Sequence, residues 1–175
     1  MRRLTKWLTA IVVCAGMALP ASPAQAKVPG PNGRIAFSRG SRDDNTVTYT
    51  VNPDGSHLRQ LFPGFSGGPR WSPDGNQVSL FAACTDGEEN CAATIVDPDT
   101  GRFRQFKFPD PTLESPCGGG WSPDGTRLLC EGFGVTDPSR NGIYTANPDG
   151  SDVQRVTNSP TFDRNGDWGP HSLAT

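Results

Sequence analysis

Apolar and polar residues alternate in short runs along most of the chain. Val47, Tyr49 and Val51 fall on one side of a two-residue period, and Thr46, Thr48 and Thr50 fall on the other. That period is the mark of a strand. Gln77-Val-Ser-Leu-Phe81 and Arg127-Leu-Leu-Cys130 are strand-like runs of the same kind, each bounded by Gly, Pro and Asp. No long 3.6-residue period follows the N-terminal segment. The pattern therefore predicts an all-β chain of many short strands and tight turns.

The turns repeat. Trp71-Ser-Pro-Asp-Gly75 recurs as Trp121-Ser-Pro-Asp-Gly125, and a weakened copy, Asp167-Trp168-Gly-Pro170, follows. The tryptophans are 50 and 47 residues apart. A second motif alternates with the first. Val51-Asn-Pro-Asp-Gly-Ser56 leads to Leu58 and Leu61, Val96-Asp-Pro-Asp-Thr-Gly101 to Phe103 and Phe106, and Ala146-Asn-Pro-Asp-Gly-Ser151 to Val153 and Val156. The offset from the motif proline to the two apolar residues is constant. Pro presets the turn's φ, Asp bonds its own backbone, and Gly accepts the positive φ that closes the reversal. Pro53-Asp54-Gly55 and Pro148-Asp149-Gly150 are thus hairpin turns, and Asp74-Gly75 and Asp124-Gly125 lead from a tryptophan into a strand. Trp71, Trp121 and Trp168 are expected to bury large areas between adjacent units.

One repeat holds about four strands at a period near 45–50 residues, which is the size of a β-propeller blade. With the downstream Asn-Pro-Asp-Gly-Ser and its paired apolar residues, Trp-Ser-Pro-Asp-Gly resembles the TolB-type propeller repeat over residues 30–170. The resemblance implies about three blades, near 33–66, 67–116 and 117–160, with a closing segment at 161–175. It does not select a function, because that repeat occurs in translocation-system proteins, in peptidase propellers and in other exported proteins. Gly33-Arg-Ile-Ala-Phe37 matches the strand after the Trp motif without a Trp motif before it, and Trp168 carries that motif without a following strand. Propellers of this family have six or more blades. The complementary halves predict two chains joined head to tail, each Trp168 beside the other chain's Gly33–Phe37 strand. The alternative is an open monomer.

The first residues change the picture of where the chain works. Arg2, Arg3 and Lys6 precede the apolar run Leu8–Leu19, and Ala24-Gln25-Ala26 is a small-residue cleavage site. Residues 1–26 read as a secretory signal peptide, removed on export to the periplasm, cell envelope or medium. Three positive charges and no negative one leave with them, so the formal net charge of −2 becomes −5. An acidic domain gives no electrostatic reason to expect nucleic acid, and no membrane-spanning segment is expected after cleavage. Four cysteines remain, Cys84, Cys91, Cys117 and Cys130, and export favours disulfides. Three pairings are possible, and the local one, Cys84 with Cys91 and Cys117 with Cys130, is preferred. The spacings do not fit paired zinc ligands.

Chemistry-bearing residues are few. His57, placed in a strand past a hairpin turn, and His171 are expected at the surface, without a nucleophile beside them. The hydrolase half that accompanies peptidase propellers is not expected. Asp54, Asp74, Asp99, Asp124 and Asp149 are explained by their turns. Asp43-Asp44-Asn45, Asp86–Asn90 and Asp163–Asp167 lack the order of a calcium loop. Arg34, Arg39 and Arg42 read as a solvated strand edge. Phe103, Phe106 and Phe108, interleaved with Arg102, Arg104 and Lys107, read as a half-buried strand.

Together these features predict an exported, non-catalytic propeller-type binding or scaffolding protein, without cofactor or metal and with a protein partner. A carbohydrate-active lyase or hydrolase is the alternative, and its acids would come from the non-turn glutamates Glu88, Glu89, Glu114 and Glu131. A degenerate remnant is the third reading.

Overall fold

The computed structural model describes residues 33–40, 46–86, 91–114, 117–118, 120–159 and 161–169. Residues Arg42, Asp43, Asp44, Asn45, Glu88, Glu89, Asn90 and His171 lie outside them, as does the proposed leader. The described chain forms eleven strands and one 3-10 turn, Pro138–Arg140, and no α-helix. Three antiparallel sheets follow one another in sequence. The first holds β1 (Ile35–Arg39), β2 (Val47–Val51) and β3 (Arg59–Gln60). The second holds β4 (Ser66–Trp71), β5 (Val78–Ala82), β6 (Ala93–Val96) and β7 (Phe103–Phe106). The third holds β8 (Leu113–Glu114), β9 (Leu128–Gly134), β10 (Gly142–Ala146) and β11 (Gln154–Arg155), so its strands begin a few residues ahead of 117.

Each sheet is a meander whose strands pair in sequence order. That order sorts the connections. The Trp-Ser-Pro-Asp-Gly turns and the Asn/Asp-Pro-Asp turns all fall at one end of the sheets, the turn end. The end of β5 and the start of β6, and the connection 135–141, fall at the other, the loop end.

The core is two layers between sheets rather than a layer within one. Leu61 and Phe62, beyond β3, pack on Val78, Leu80 and Val96 of the second sheet. Ala93 and Ile95, also on β6, pack with Trp121, Leu128, Cys130 and Tyr144 of the third. Successive residues of β6 thus serve opposite layers, and all four are buried. That is why Ala93-Thr-Ile-Val96 lacks the polar alternation of a strand with one wet face. Burying a side chain such as Leu80 or Ile95 contributes about 1.5–3 kcal/mol.

In β2 the threonines take the inward side. Thr48 and Thr50 are fully buried toward the second sheet, while Val47, Tyr49 and Val51 stay half-buried on the far face. His57 sits in no strand. It is exposed in the coil between β2 and β3, with φ near 54°. The extra length between Gly55 and the start of β3 leaves room for a left-handed residue there, which the strand expectation overlooked.

Two glycines with the same backbone test how turns meet sheets. Gly55 (φ 83°) has open space where a Cβ would stand, whereas a Cβ on Gly150 (φ 85°) would lie 2.6 Å from the Phe106 ring of the neighbouring sheet. Gly55→Ala is expected to cost about 1 kcal/mol through backbone strain alone. Gly150→Ala should cost about 1–3 kcal/mol more, because Phe106 must shift as well. Urea unfolding of the two variants measures the gap, and equal midpoints would contradict this account. Cys117 and Cys130 are paired across 13 residues and both are buried. Replacing both with serine is expected to lower unfolding free energy by about 3 kcal/mol in the same assay.

Candidate functional site

The repeated turns build the turn end. In the second sheet the Ser72 hydroxyl donates to Asp74 Oδ1 at 2.6 Å and accepts the Gln77 N–H at 2.9 Å. Asp74 also accepts the Asn76 N–H at 3.1 Å. The third sheet copies this network. Ser122 donates to Asp124 at 2.6 Å and accepts from Arg127 N at 2.8 Å, and Thr126 N donates to Asp124 at 3.0 Å. Gly75 and Gly125 close the turns at φ 73°. The Ser72 hydroxyl, then the Asn76 N–H, holds the Asp74 carboxyl below its ordinary range, and Ser122 and Thr126 do the same to Asp124.

The hairpin turns hold carboxylates the same way. Asp54 accepts the Ser56 N–H and Asp149 the Ser151 N–H, both at 2.9 Å, beside Pro53 and Pro148. Their acids are lowered by the Ser56 and Ser151 side chains first. The middle copy differs. Gly101 N reaches back to the Asp97 carbonyl, one residue farther than in the other two turns, and the Asp97 carboxylate caps it. Asp99 is released to a different job. Arg34 donates to its carboxylate at 2.6 Å, and Arg59 donates to its backbone carbonyl at 2.5 Å. Arg34 is therefore a link between the first and second sheets rather than a plain solvated edge. Arg39 lies over Phe37 and Tyr49, 5.3 and 5.1 Å from the ring centres.

Trp121 joins the second and third sheets. It is buried, and its Nε1 donates to the Arg70 carbonyl of β4 at 3.3 Å. Trp71 and Trp168 have buried Nε1 groups too, but neither has an acceptor among the described residues. A cleft of about 320 Å³ opens beside Trp121, between Asp74, Gln77, Arg104, Asp124 and Pro148. Its carboxylates Asp74 and Asp124 are hydrogen-bonded within their own turns.

At the loop end, Cys84–Cys91 staples the β5–β6 connection and Cys117–Cys130 ties the approach of Trp121 to β9. Both pairs are the local ones preferred from sequence. Asp86 pairs with Lys107 at 3.0 Å. Glu131 accepts the Asn165 N–H, and Glu114 is exposed opposite Phe133. Asp163–Asp167 is coil.

Two aromatic residues at this end escape motif reasoning. Phe65 and Phe162 stand six residues before Trp71 and Trp168, at the same repeat position. They are 42% and 58% exposed, and each leans on a second ring, Phe81 at 5.7 Å and Phe133 at 5.2 Å. Arg164 covers Phe162 at 4.9 Å. Only the shared offset from tryptophan signals them in sequence. Gly64-Phe65-Ser66-Gly67-Gly68 also spells a hydrolase nucleophile elbow, which sequence reasoning missed. The context is wrong for that chemistry. Ser66 opens β4, is buried, and uses its hydroxyl to accept the Thr48 N–H at 3.0 Å. An elbow needs an exposed serine on a strand-to-helix turn.

With three sequential antiparallel sheets packed face to face, the class is a β-propeller-type repeat protein. TolB from Acinetobacter baumannii superposes with a TM-score of 0.51 at 19% identity, over 71% of this chain and 29% of TolB. An oligogalacturonate lyase in complex with manganese superposes with a TM-score of 0.51 at 18% identity, over 67% of this chain and 31% of the lyase. The chain thus spans about a third of the length of these structures, and the likeness is one of fold. No family model and no curated protein matches the sequence.

The turn carboxylates set an acid limit. A lowered folded-state pKa means that the unfolded chain binds protons more tightly. The resulting stability is present above the ordinary value of 3.8 and is lost as pH falls through the lowered values. The melting temperature is expected to hold at neutral pH and to drop below about pH 4. Asp74→Asn with Asp124→Asn should melt lower than wild type at pH 7 and show a shallower acid decline. Circular dichroism melts across pH check this, and parallel declines would contradict it.

Proposed function

We propose that this chain is an exported binding module that docks a protein partner through its loop end. The carrying observation is the pair of repeat-equivalent phenylalanines, Phe65 and Phe162, held exposed against second rings at that end. Aromatic and arginine side chains supply most of the energy of protein interfaces, and here Arg164 lies directly over Phe162. The backing rings fix the exposed ones, so little side-chain entropy is lost on docking. The two disulfides hold the adjoining connections and suit an oxidising compartment outside the cytoplasm. The turn end supports the reading as well, because its carboxylates are occupied by their own turns.

Crosslinking in intact cells, with the chain as bait, is expected to trap a partner. Phe65→Ala with Phe162→Ala should reduce the trapped amount at least about tenfold, since each buried interface aromatic is worth about 1–2 kcal/mol or more. Asp54→Asn, at the opposite end, should leave it unchanged. Equal trapping by the phenylalanine variant would overturn the proposal. So would turnover of a polysaccharide that Glu114→Gln or Glu131→Gln abolishes.

A further inference from the structure

Four features of the structure are each incomplete in the same way. In the second and third sheets the strand that follows the tryptophan turn has an inner neighbour: β5 pairs with β4, and β9 pairs with β8 and bridges Trp121 to Leu128. In the first sheet β1 pairs only with β2 among the described residues. Trp121 finds its acceptor on the inner strand of the preceding sheet, at Arg70, the residue before Trp71. Trp71 occupies the same place one repeat earlier, and its buried Nε1 has no acceptor among the described residues.

The third feature lies at the far side. Leu61, Phe106 and Val156 are the same position of the second turn motif. Leu61 is 3% exposed under the second sheet, and Phe106 packs into the layer under the third, yet Val156 is 61% exposed. The fourth is the segment 161–169. It carries the inner-strand tryptophan, Trp168, and lies along β9, with Asn165 bonded to Glu131 and Gly166 against Leu129. No described strand pairs with it.

We propose that a second copy of this chain completes both ends, with segment 161–169 of each copy forming the inner strand of the other's first sheet. The register follows from the two existing junctions. Trp71 pairs with Val78 and Trp121 bridges Leu128, and Ile35 is the third member of that series. Trp168 therefore stands opposite Ile35 of the other copy, and Asp167 opposite Ala36, as Arg70 stands opposite Ser79. The Asp167 carbonyl then reaches Trp71 Nε1, as the Arg70 carbonyl reaches Trp121. The same docking lays Val47, Tyr49 and Val51, the half-buried far face of β2, over Val156 and the open side of the third sheet. The junction occurs twice about a two-fold axis, so the assembly closes as a ring of six sheets. It does not rest on the loop-end docking proposed above: the two share segment 161–169, but the register here is set by Asp167 and Trp168 and not by Phe162 or Arg164.

The full-length gene product, expressed for export and purified under non-reducing conditions, is expected to have twice the chain mass by light scattering at micromolar concentration. Val156→Asp puts a charge on a side chain that is already exposed in the single chain, so the fold should survive by circular dichroism. In the dimer that position is buried, and the variant should shift to the single-chain mass. Register is read separately. Asp167→Cys and Ala36→Cys variants, each expected to remain uncrosslinked alone, should form a disulfide-linked dimer when mixed, refolded together and oxidised. A single-chain mass for the wild type overturns the proposal, as does a dimer that Val156→Asp leaves intact. A dimer without the mixed crosslink overturns the register, and with it the acceptor assigned to Trp71. None of these outcomes depends on partner trapping through Phe65 and Phe162.

Discussion

The structure depends on burial between sheets. A sheet of three or four short strands presents two faces, and in the middle sheet both are apolar. β6 shows the constraint at its most compact, with Ile95 committed to one layer and Val96 to the other. Neither layer exists without a neighbouring sheet, so stability belongs to the junctions rather than to the repeats. Trp121 serves such a junction twice over, through its buried area and through the bond from Nε1 to Arg70. The arginines Arg34 and Arg59 add a polar latch at the turn end by reaching the Pro98–Asp99 turn of the next sheet.

The turns make those junctions reproducible. Each Trp-Ser-Pro-Asp-Gly copy uses one serine hydroxyl both to cap the strand that leaves the turn and to hold the aspartate. The sheet edge is then delivered in the same register each time. Such self-contained turns free the opposite end for variation, and there the connections differ between repeats: a disulfide-stapled segment in the second sheet and a 3-10 turn capped by Asp137 in the third. Rigid strands bearing variable loops are the usual arrangement in which a repeat fold acquires a binding face.

Most of the fold could be read from residue order, because its signals are local. A Pro-Asp-Gly turn works wherever it stands, so Gly55 and Gly150 adopt nearly the same φ in two different sheets. The local cysteine pairing was legible for the same reason. Positions whose partner lies in another repeat were less legible. Arg34 reads as an exposed edge charge until Asp99, 65 residues away, is brought to it. His57 reads as part of a strand until the backbone is seen to turn left-handed there. The candidate site was the least legible part, since Phe65 and Phe162 belong to no motif and share only their distance from a tryptophan.

By itself, then, the sequence determined the strand period, the turn positions, the number of repeats and the all-β class, because each of these is set by backbone preferences acting over a few residues. The tertiary structure decided which face of each strand is buried. In β2 the threonines went inward and the larger Val47, Tyr49 and Val51 outward, a choice that alternation leaves undetermined. It also decided which tryptophan finds an acceptor among the described residues and which does not. Burial and long-range hydrogen bonds depend on what the neighbouring sheet presents, and that neighbour is about fifty residues away in the chain.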